Sequence, residues 1–379
     1  MKNRVFLLFV ILFSFKFVLA TPGIKIIKNS LCEINNKCDK ITLNPVMVWG
    51  SEDSTDDMNY FKAPEDIVVD NENRVYIADS SLHCIKVFDE NGHFIRQIGR
   101  RGQGPGDLLS PLNISINETN VIWVNDFGNR RIQKFTTSGA YLSVFKTPNL
   151  YTSNLIITRE SKIALLDSFL AEKGKGIILI YNQTGAEIQR IGTHMLPPGI
   201  DLPWTGGKHD SVMFSYNIKT QQYYIAYTYS QMIHIFDKNT KLKKCIFYDT
   251  PINKLQLAWK PTRNNFDLIK KSNNYSKCVA LTVDNDDSIF IVISTRSLKK
   301  NEITSMTFID GRMTYTPGNK GFPVKTDLYR LMVFGADGKI LATKQLDVFC
   351  DKIYIHNNRI FIIDKIFQKV IYEYQYKIK

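Results

Sequence analysis

The sequence predicts an all-β fold: a six-bladed β-propeller with four-stranded blades and a ring closed by an N-terminal strand. The first supporting observation is a unit that recurs along the 379 residues, an apolar strand that ends in an aromatic residue and is followed by a polar turn with a glycine. Three copies have their aromatic residue at Phe88, Phe135 and Tyr181, which lie 47 and 46 residues apart. Intervals of this length are typical of four-stranded propeller blades.

The second observation is that each unit divides into four short strands separated by turn residues. We predict the strands of the first blade at 67–69, 74–78, 85–88 and 94–98, and those of the second at 114–116, 121–124, 132–135 and 141–145. The 98-residue interval between Phe236 and Phe334 contains only one further set of strands. We therefore interpret this interval as one blade with insertions, which brings the total to six.

The sixth blade, at 353–374, ends without an outermost strand. The segment 41–49 precedes the first blade and leads into VMVWG, much like the fourth-strand ending IRQIG at 95–99. Because an open ring would leave an unpaired sheet edge, we predict that 41–49 completes the sixth blade. The predicted organisation is a signal peptide at 1–20, an N-terminal segment with a short cysteine loop at 21–40, and the propeller at 41–379.

Residues 1–20 have the features of a secretory signal peptide: basic Lys2 and Arg4, an apolar run, and small residues before the cleavage position. The apolar run, 5–15, is too short to span a bilayer, and an uncleaved anchor is the alternative. We expect export to the periplasm, to the outer cell surface or into the medium, and no transmembrane segment in the mature chain.

The chain has six cysteines. Cys32 and Cys38 enclose a polar five-residue loop, and in an oxidising compartment this spacing predicts a disulfide. The other four are scattered and can be either paired or buried as free thiols: Cys84, Cys245, Cys278 and Cys350.

The formal net charge is +13, three less without the signal peptide, with 44% hydrophobic and 22% charged residues. This composition excludes wholesale disorder. A basic surface suits an acidic partner, although it can also serve solubility alone. Export argues against nucleic acid, which leaves a protein or an anionic glycan as the partner.

The order of strands assigns each connection to one of two faces of the ring. Connections between blades and between second and third strands form the loop-rich face, and the remaining short turns form the turn face. Three long insertions, at 192–211, 248–277 and 295–327, belong to the loop-rich face and carry aromatic and basic residues. Such residues suit sugar rings, anionic polymers or a protein hot spot, although they can also pack onto the blades. The candidate binding residues are Trp204, Trp259, Lys260, Arg263 and Tyr315.

Residues 63–99 resemble an NHL-type repeat, in the proline before the first strand, the Val-Asp turn, the Tyr-Ile-Ala-Asp of the second strand and the Phe-Asp-x-x-Gly turn. The linker 99–107 resembles the GxxGxGPG loop of six-bladed propellers exported by Bacteroidetes. This resemblance implies a fold and export rather than a particular chemistry.

Two related enzyme classes give an alternative function, a metal-dependent hydrolase or lyase at the channel mouth. The resemblance to calcium-dependent lactonases of this architecture would nominate Glu65, Asn113 and Asp167 as oxygen ligands. Similarity to zinc-dependent amidating lyases would nominate the loop histidines His83, His194 and His209. A binding protein needs neither metal, and the sequence leaves open whether the protein is an enzyme.

Two further patterns have structural interpretations. An aspartate follows the second strand of four blades, and we expect these aspartates to accept backbone hydrogen bonds rather than to form a ring of carboxylates: Asp79, Asp126, Asp167 and Asp364. The glycine-rich stretch 99–106 precedes no helix, so we interpret it as a tight crossing between blades and not as a phosphate-binding loop.

Overall fold

The computed structural model describes residues 24–50, 58–146, 154–166, 176–192, 212–228, 230–250, 276–296, 305–309, 312–316 and 325–379. The first elements are strand β1 (Lys25–Asn29), helix α1 (Leu31–Asn36) and strand β2 (Ile41–Trp49). The predicted signal peptide at 1–20 lies outside the described residues. Among the described residues, no helix is long and apolar enough to cross a membrane.

The strands that follow form six antiparallel blades in a ring, which confirms the predicted propeller. Blade 1 contains β3 (Pro64–Val69), β4 (Val75–Asp79), β5 (Cys84–Phe88) and β6 (Phe94–Ile98). Blade 2 contains β7 (Pro111–Ile116), β8 (Val121–Asp126), β9 (Arg131–Thr136) and β10 (Tyr141–Lys146). Blade 3 contains β11 (Leu155–Ile157), β12 (Ile163–Leu166), β13 (Ile178–Tyr181) and β14 (Glu187–Ile191).

Blade 4 contains β15 (Val212–Asn217), β16 (Gln222–Tyr227), β17 (Met232–Phe236) and β18 (Leu242–Tyr248). Blade 5 begins with β19 (Cys278–Val283) and β20 (Ile289–Ser294); after a separate hairpin of β21 (Ser305–Ile309) and β22 (Arg312–Thr316), it ends with β23 (Tyr329–Phe334) and β24 (Ile340–Gln345). Blade 6 contains β25 (Lys352–His356), β26 (Arg359–Asp364) and β27 (Val370–Ile378).

The recurring unit of the sequence has a direct structural cause. Its aromatic residue ends the third strand of a blade and is buried, as Phe88 and Phe135 are. Its glycine lies in the turn to the fourth strand with a positive φ, a conformation that glycine adopts most easily: Gly92, Gly139, Gly185 and Gly338. The middle strands are rich in apolar residues because neighbouring blades cover both of their faces, and every residue of β4 and β5 is buried.

The ring is closed by the N-terminal strand, as predicted. Strand β2 pairs antiparallel with β27, from Ile41 opposite Ile378 to Trp49 opposite Ile371, and thereby completes blade 6. The Trp49 indole donates to the buried carboxylate of Glu373 at 3.0 Å. The pairing slips by one residue after Pro45, which has no N–H to donate to the ladder.

The residues before β2 also join the propeller, which the sequence analysis did not foresee. We call 24–40 the N-terminal strap. Its strand β1 runs parallel to β18 as a fifth strand of blade 4. The side chain of Asn29, which is buried, donates to the carbonyl of Gly338 at 3.0 Å and accepts from the N–H of Ile340 at 2.8 Å. Further along the strap, Cys38 forms a β-bridge with Thr343 of β24, so the strap connects the outer edges of blades 4 and 5.

The predicted disulfide between Cys32 and Cys38 is wrong, because both residues are exposed free thiols. The reason lies in helix α1, which occupies the interval between them. Ser30 caps this helix by accepting the Glu33 N–H, while the Glu33 carboxylate accepts the Ser30 N–H. Cys32 lies in the first turn of the helix and Cys38 lies beyond its end, paired with blade 5. The polar residues thus form a capped helix instead of a disulfide loop.

Candidate functional site

A cavity of about 420 Å³ lies in the central channel and is lined by the inner strands of all six blades. Its lining extends from the middle of these strands to the turns after them, which include Asn71, Asn117 and Asn285. The cavity therefore opens on the turn face, opposite the long insertions. We call it the channel cavity.

Equivalent residues of the six inner strands form layers along the channel. They are equivalent because, in each blade, the inner strand pairs with the second strand in the same register when residues are counted back from the turn between the two. The innermost layer is polar in four blades and apolar in two: Asp66, Asn113, Asn154, Met213, Ala280 and Lys352. Of these six, Asp66, Asn154 and Lys352 line the channel cavity. The inner end of the cavity is therefore formed by charged and amide side chains.

Asp66 and Lys352 form an ion pair between blades 1 and 6, with the Lys352 Nζ 2.7 Å from the Asp66 Oδ1. The Asp66 carboxylate is almost fully buried and also accepts the backbone N–H groups of Ile67 at 2.8 Å and Ile114 at 3.1 Å. A buried carboxylate needs such partners, because removing an ion from water is costly. The pair leaves the inner end of the cavity without net charge.

The middle layer brings together hydroxyl groups from four blades: Ser115, Ser215, Thr282 and Tyr354. The Ser115 hydroxyl accepts the N–H of Ile157 at 3.1 Å, and the Tyr354 hydroxyl accepts the N–H of Val69 at 3.3 Å. Burial raises the pKa of Tyr354 to about 12, so this hydroxyl keeps its proton at neutral pH. Both hydroxyls can therefore still donate a hydrogen bond into the cavity.

The mouth of the cavity combines amides with a few ionisable groups. The Glu118 carboxylate lies 3.5 Å from the Arg159 guanidinium. Burial and the Arg359 charge lower the pKa of His356, so its imidazole is neutral at neutral pH. The Asp284 carboxylate also lines the mouth and accepts the Tyr376 hydroxyl at 3.3 Å. The mouth thus offers hydrogen-bond donors and acceptors and no cation without a partner among these residues.

Side chains near the channel also connect each blade to the next. These bonds run from the Ile114 N–H to Asp66, from the Ile157 N–H to Ser115, from Asn154 to the Phe214 carbonyl, from Asn217 to the Asp284 carbonyl, from the Tyr376 hydroxyl to Asp284 and from the Val69 N–H to Tyr354. The cavity wall is therefore fixed around the whole ring, which makes it a preformed site.

The loop-rich face carries the residues that the sequence analysis nominated for binding. Trp204, Trp259, Lys260 and Arg263 lie outside the described residues. Tyr315 lies in β22, where it pairs with Met306 of β21. The structure therefore does not test whether these five residues lie together, and their role stays a prediction.

The described ends of the third insertion are held firmly together. The Thr295 N–H donates to the Leu328 carbonyl at 2.7 Å, and the Arg296 guanidinium donates to the Asp327 carboxylate at 2.7 Å. Between these ends, β21 and β22 form a two-stranded sheet that pairs with no blade strand in the part of the chain that the structure describes. This insertion is therefore a closed arm with secondary structure of its own.

The nominated metal ligands are engaged by other protein groups. The Glu65 carboxylate is paired with Lys365 at 3.1 Å, and the Asn113 side-chain oxygen accepts from Asn125 at 3.3 Å. The His83 Nδ1 accepts the N–H of Ser110 at 3.0 Å. Asp167, His194 and His209 lie outside the described residues. In the part of the chain that the structure describes, no three His, Cys, Asp or Glu side chains gather where they could hold a metal ion.

Three of the four recurring aspartates accept backbone hydrogen bonds, as predicted, and the fourth, Asp167, lies outside the described residues. Asp79 and Asp126 hold connections between blades, whereas Asp364 holds the turn between the second and third strands of blade 6. Asp79 accepts the backbone N–H groups of Lys62 at 2.7 Å and Leu82 at 2.9 Å. Asp126 accepts the Leu109 N–H at 2.6 Å, and Asp364 accepts the Phe367 N–H at 2.8 Å.

The glycine-rich loop before blade 2 presents carbonyl groups rather than amides. The Arg131 guanidinium donates to the carbonyls of Gln103, Gly104 and Asp107 at 2.8 to 2.9 Å. A phosphate-binding loop would need backbone N–H groups pointing inward. This loop is instead a connection between blades 1 and 2 whose carbonyl groups bind the Arg131 guanidinium.

Sequence reasoning missed the channel cavity. A signal was present, because alignment of the six inner strands brings polar residues to the same two positions in several blades. In any single strand, however, each of these residues looks like one isolated polar position.

Comparisons with known proteins agree with this architecture. A solved Bacteroides vulgatus protein of the DUF4221 family is 14% identical, with a TM-score of 0.63, over 89% of this chain and 98% of that one. A Bacteroides fragilis protein whose name describes it as exported is 12% identical, with a TM-score of 0.56, over 94% of this chain and 99% of that one. At these identities, the likeness concerns the fold alone.

The Drosophila melanogaster protein named brain tumor is 30% identical over 135 residues, which are 35% of this chain and only 12% of that protein. The chain therefore spans about an eighth of this relative. The family model for a domain of unknown function, DUF4934, matches residues 63–314, which extend from the first strand of blade 1 into the arm of blade 5. On this match, the chain belongs to the DUF4934 family.

Proposed function

We propose that this protein is an exported binding protein whose loop-rich face binds an anionic glycan. The observation that carries the proposal is the placement of the insertions. The ends of all three, after β14, β18 and β20, leave the blades on the same side of the ring. Long loops on a rigid scaffold are the usual location of binding residues.

The chemistry of the insertions favours an anionic sugar polymer over other partners. The segment 248–277 contains six lysine and arginine residues against two aspartates, beside Trp259 and Phe266. Lysine and arginine attract acidic groups at long range, and aromatic rings cover the apolar faces of sugar rings. We infer export from the features of residues 1–20 and from the likeness to a Bacteroides propeller described as exported. The motifs of blades 1 and 2 also lead us to propose that the blades are NHL-type repeats.

Heparin is a suitable probe, because it is a soluble anionic glycan. The test compares the salt concentration that elutes the protein from immobilised heparin for two double variants. Lys260→Ala with Arg263→Ala removes two charges from the loop-rich face. Lys238→Ala with Lys241→Ala removes two exposed charges from the turn face. We expect the first variant to elute at clearly lower salt than the second, since binding through specific contacts depends on where the charges lie.

Equal elution of the two variants would show that net charge alone causes retention, and the proposal would be wrong. Trp259→Ala adds a test that does not depend on charge, because the indole is uncharged and an aromatic anchor typically contributes about 2 kcal/mol or more to the free energy of binding. Its matched control is Ile188→Ala, an exposed apolar residue on the outer strand of blade 3. If neither double variant binds less heparin but crosslinking captures a protein on the insertions, the partner is a protein instead.

A further inference from the structure

We propose that the channel cavity is a second binding site, which takes a neutral sugar of about one or two rings from the turn face. The site is distinct from the loop-rich face and does not depend on the function proposed for that face. The cavity has a volume of about 420 Å³, which lies within the range of about 300–1,000 Å³ that is typical of small-molecule sites.

Charge compensation selects a neutral ligand. The single ammonium at the inner end, Lys352, is neutralised by Asp66 at 2.7 Å. At the mouth, the Glu118 carboxylate faces the Arg159 guanidinium at 3.5 Å. A strongly anionic ligand would thus meet no unpaired cation at either end, and the lining carboxylate that has no ion pair among the described residues, Asp284, already accepts the N–H groups of Asp286 and Ser288.

The available polar groups select a ligand rich in hydroxyls. Among the residues that the structure covers, the hydroxyls of Ser215 and Thr282 have no protein hydrogen-bond partner, and Ser115 and Tyr354 can still donate. Each hydroxyl can both donate and accept, and so can the amides of the mouth residues. These are the groups that pair with the hydroxyls of a sugar, whose orientation varies around the ring.

Apolar side chains line the cavity beside the hydroxyls, and they suit the C–H faces of a sugar ring. Ile116, Ile156 and Tyr216 are partly exposed and line the cavity near the hydroxyls and toward the mouth. The alternate residues of the inner strands, such as Ile67 and Phe214, are fully buried between the blades and offer a ligand no surface. Hydroxyl and apolar groups side by side thus match the O–H and C–H groups of a sugar.

The experiment measures binding of maltose, cellobiose and lactose to the mature chain by saturation-transfer NMR and calorimetry, at millimolar concentrations. Glucuronate and glucosamine serve as anionic and cationic sugars of similar chemistry. The key variant is Thr282→Val, which removes one cavity hydroxyl with little change in shape. Its matched control is Thr42→Val on the outer strand β2, outside the cavity. Melting curves of both variants check that the fold is intact.

We expect saturable binding of at least one neutral sugar, weakened about three- to tenfold by Thr282→Val and unchanged by Thr42→Val, which is the effect of losing one hydrogen bond. Equal loss in the two variants, tighter binding of glucuronate or glucosamine, or no binding of any neutral sugar would overturn the proposal. Lys260, Arg263 and Trp259, whose removal should weaken heparin binding, belong to an insertion of the opposite face, so the two proposals can fail separately.

Discussion

Asp364 is a buried carboxyl group whose ionisation is coupled to the fold. Burial, reinforced by the charge of nearby Asp351, raises the pKa of Asp364 to about 7. In the unfolded chain, an aspartate has a pKa of about 3.9. The folded state therefore binds more protons than the unfolded state between about pH 4 and pH 7, and this group's contribution to stability falls as the pH rises through that range.

Asp364→Asn removes this titration but keeps an oxygen that can accept the Phe367 N–H. We expect the variant to gain stability relative to the natural protein as the pH is raised from 5 to 8. Urea unfolding at both values measures this gain, with exposed Asp337→Asn as the control. A difference in unfolding free energy that is the same at pH 5 and pH 8 would contradict the assignment.

The cysteines divide into two exposed and four buried thiols. Burial raises the pKa of Cys84 and of Cys245 to about 12 and that of Cys350 well above its usual value, which suppresses the reactive thiolate. We expect iodoacetamide to label only Cys32 and Cys38 in the folded protein and all six after denaturation. Mass spectrometry counts the adducts. If the peptides containing Cys32 and Cys38 are labelled only after reduction, the two residues form a disulfide and their assignment as free thiols is wrong.

At the scale of elements, β2 and the N-terminal strap both hold the ring, but to different degrees. Strand β2 pairs with β27 along its whole length, whereas the strap adds one strand to blade 4 and a β-bridge to blade 5. Chains beginning at residues 24, 41 and 50 separate the two contributions. We expect a moderate fall in melting temperature from the first to the second and a severe fall or aggregation in the third, because its ring is open.

Calorimetry of the three chains checks this order. Val48→Ala, a half-exposed change within β2, controls for the loss of a side chain alone and should melt close to the natural protein. A chain beginning at residue 50 that melts like the one beginning at residue 41 would mean that β2 does not hold the ring closed.

The elements themselves could be predicted from the sequence because each blade repeats one local pattern. Apolar strands, an aromatic residue at the end of the third strand and a glycine with positive φ depend only on neighbouring residues. Helix α1 has a local signal as well, the capping box of Ser30 and Glu33, although the cysteine spacing favoured a disulfide loop there. Strand β1 could not be predicted in this way, because it depends on β18, which lies more than two hundred residues away in the sequence.

At the scale of the whole molecule, the same reason hid the channel cavity. Asp66 and Lys352 are partners only because the ring brings the first and last blades together. The four cavity hydroxyls come from blades 2, 4, 5 and 6, and none lies near another in the sequence. The ring could be predicted from the repeats. The lining of its central channel could not, because it depends on how the six inner strands align with one another in space.

The pairing of β2 with β27 also constrains the order in which the strands of the propeller can pair during folding. Strand β2 is synthesised early and has to wait for β27, the last strand of the propeller, because Ile41 is opposite Ile378. Throughout that interval, β2 is an unpaired, largely apolar segment that could associate with another copy of the chain. Pro45 in its centre interrupts any continuous ladder with a wrong partner, while the native pairing tolerates it by slipping one residue. The register shift at Pro45 in the folded sheet thus accompanies a proline that limits wrong strand pairing before the chain has folded.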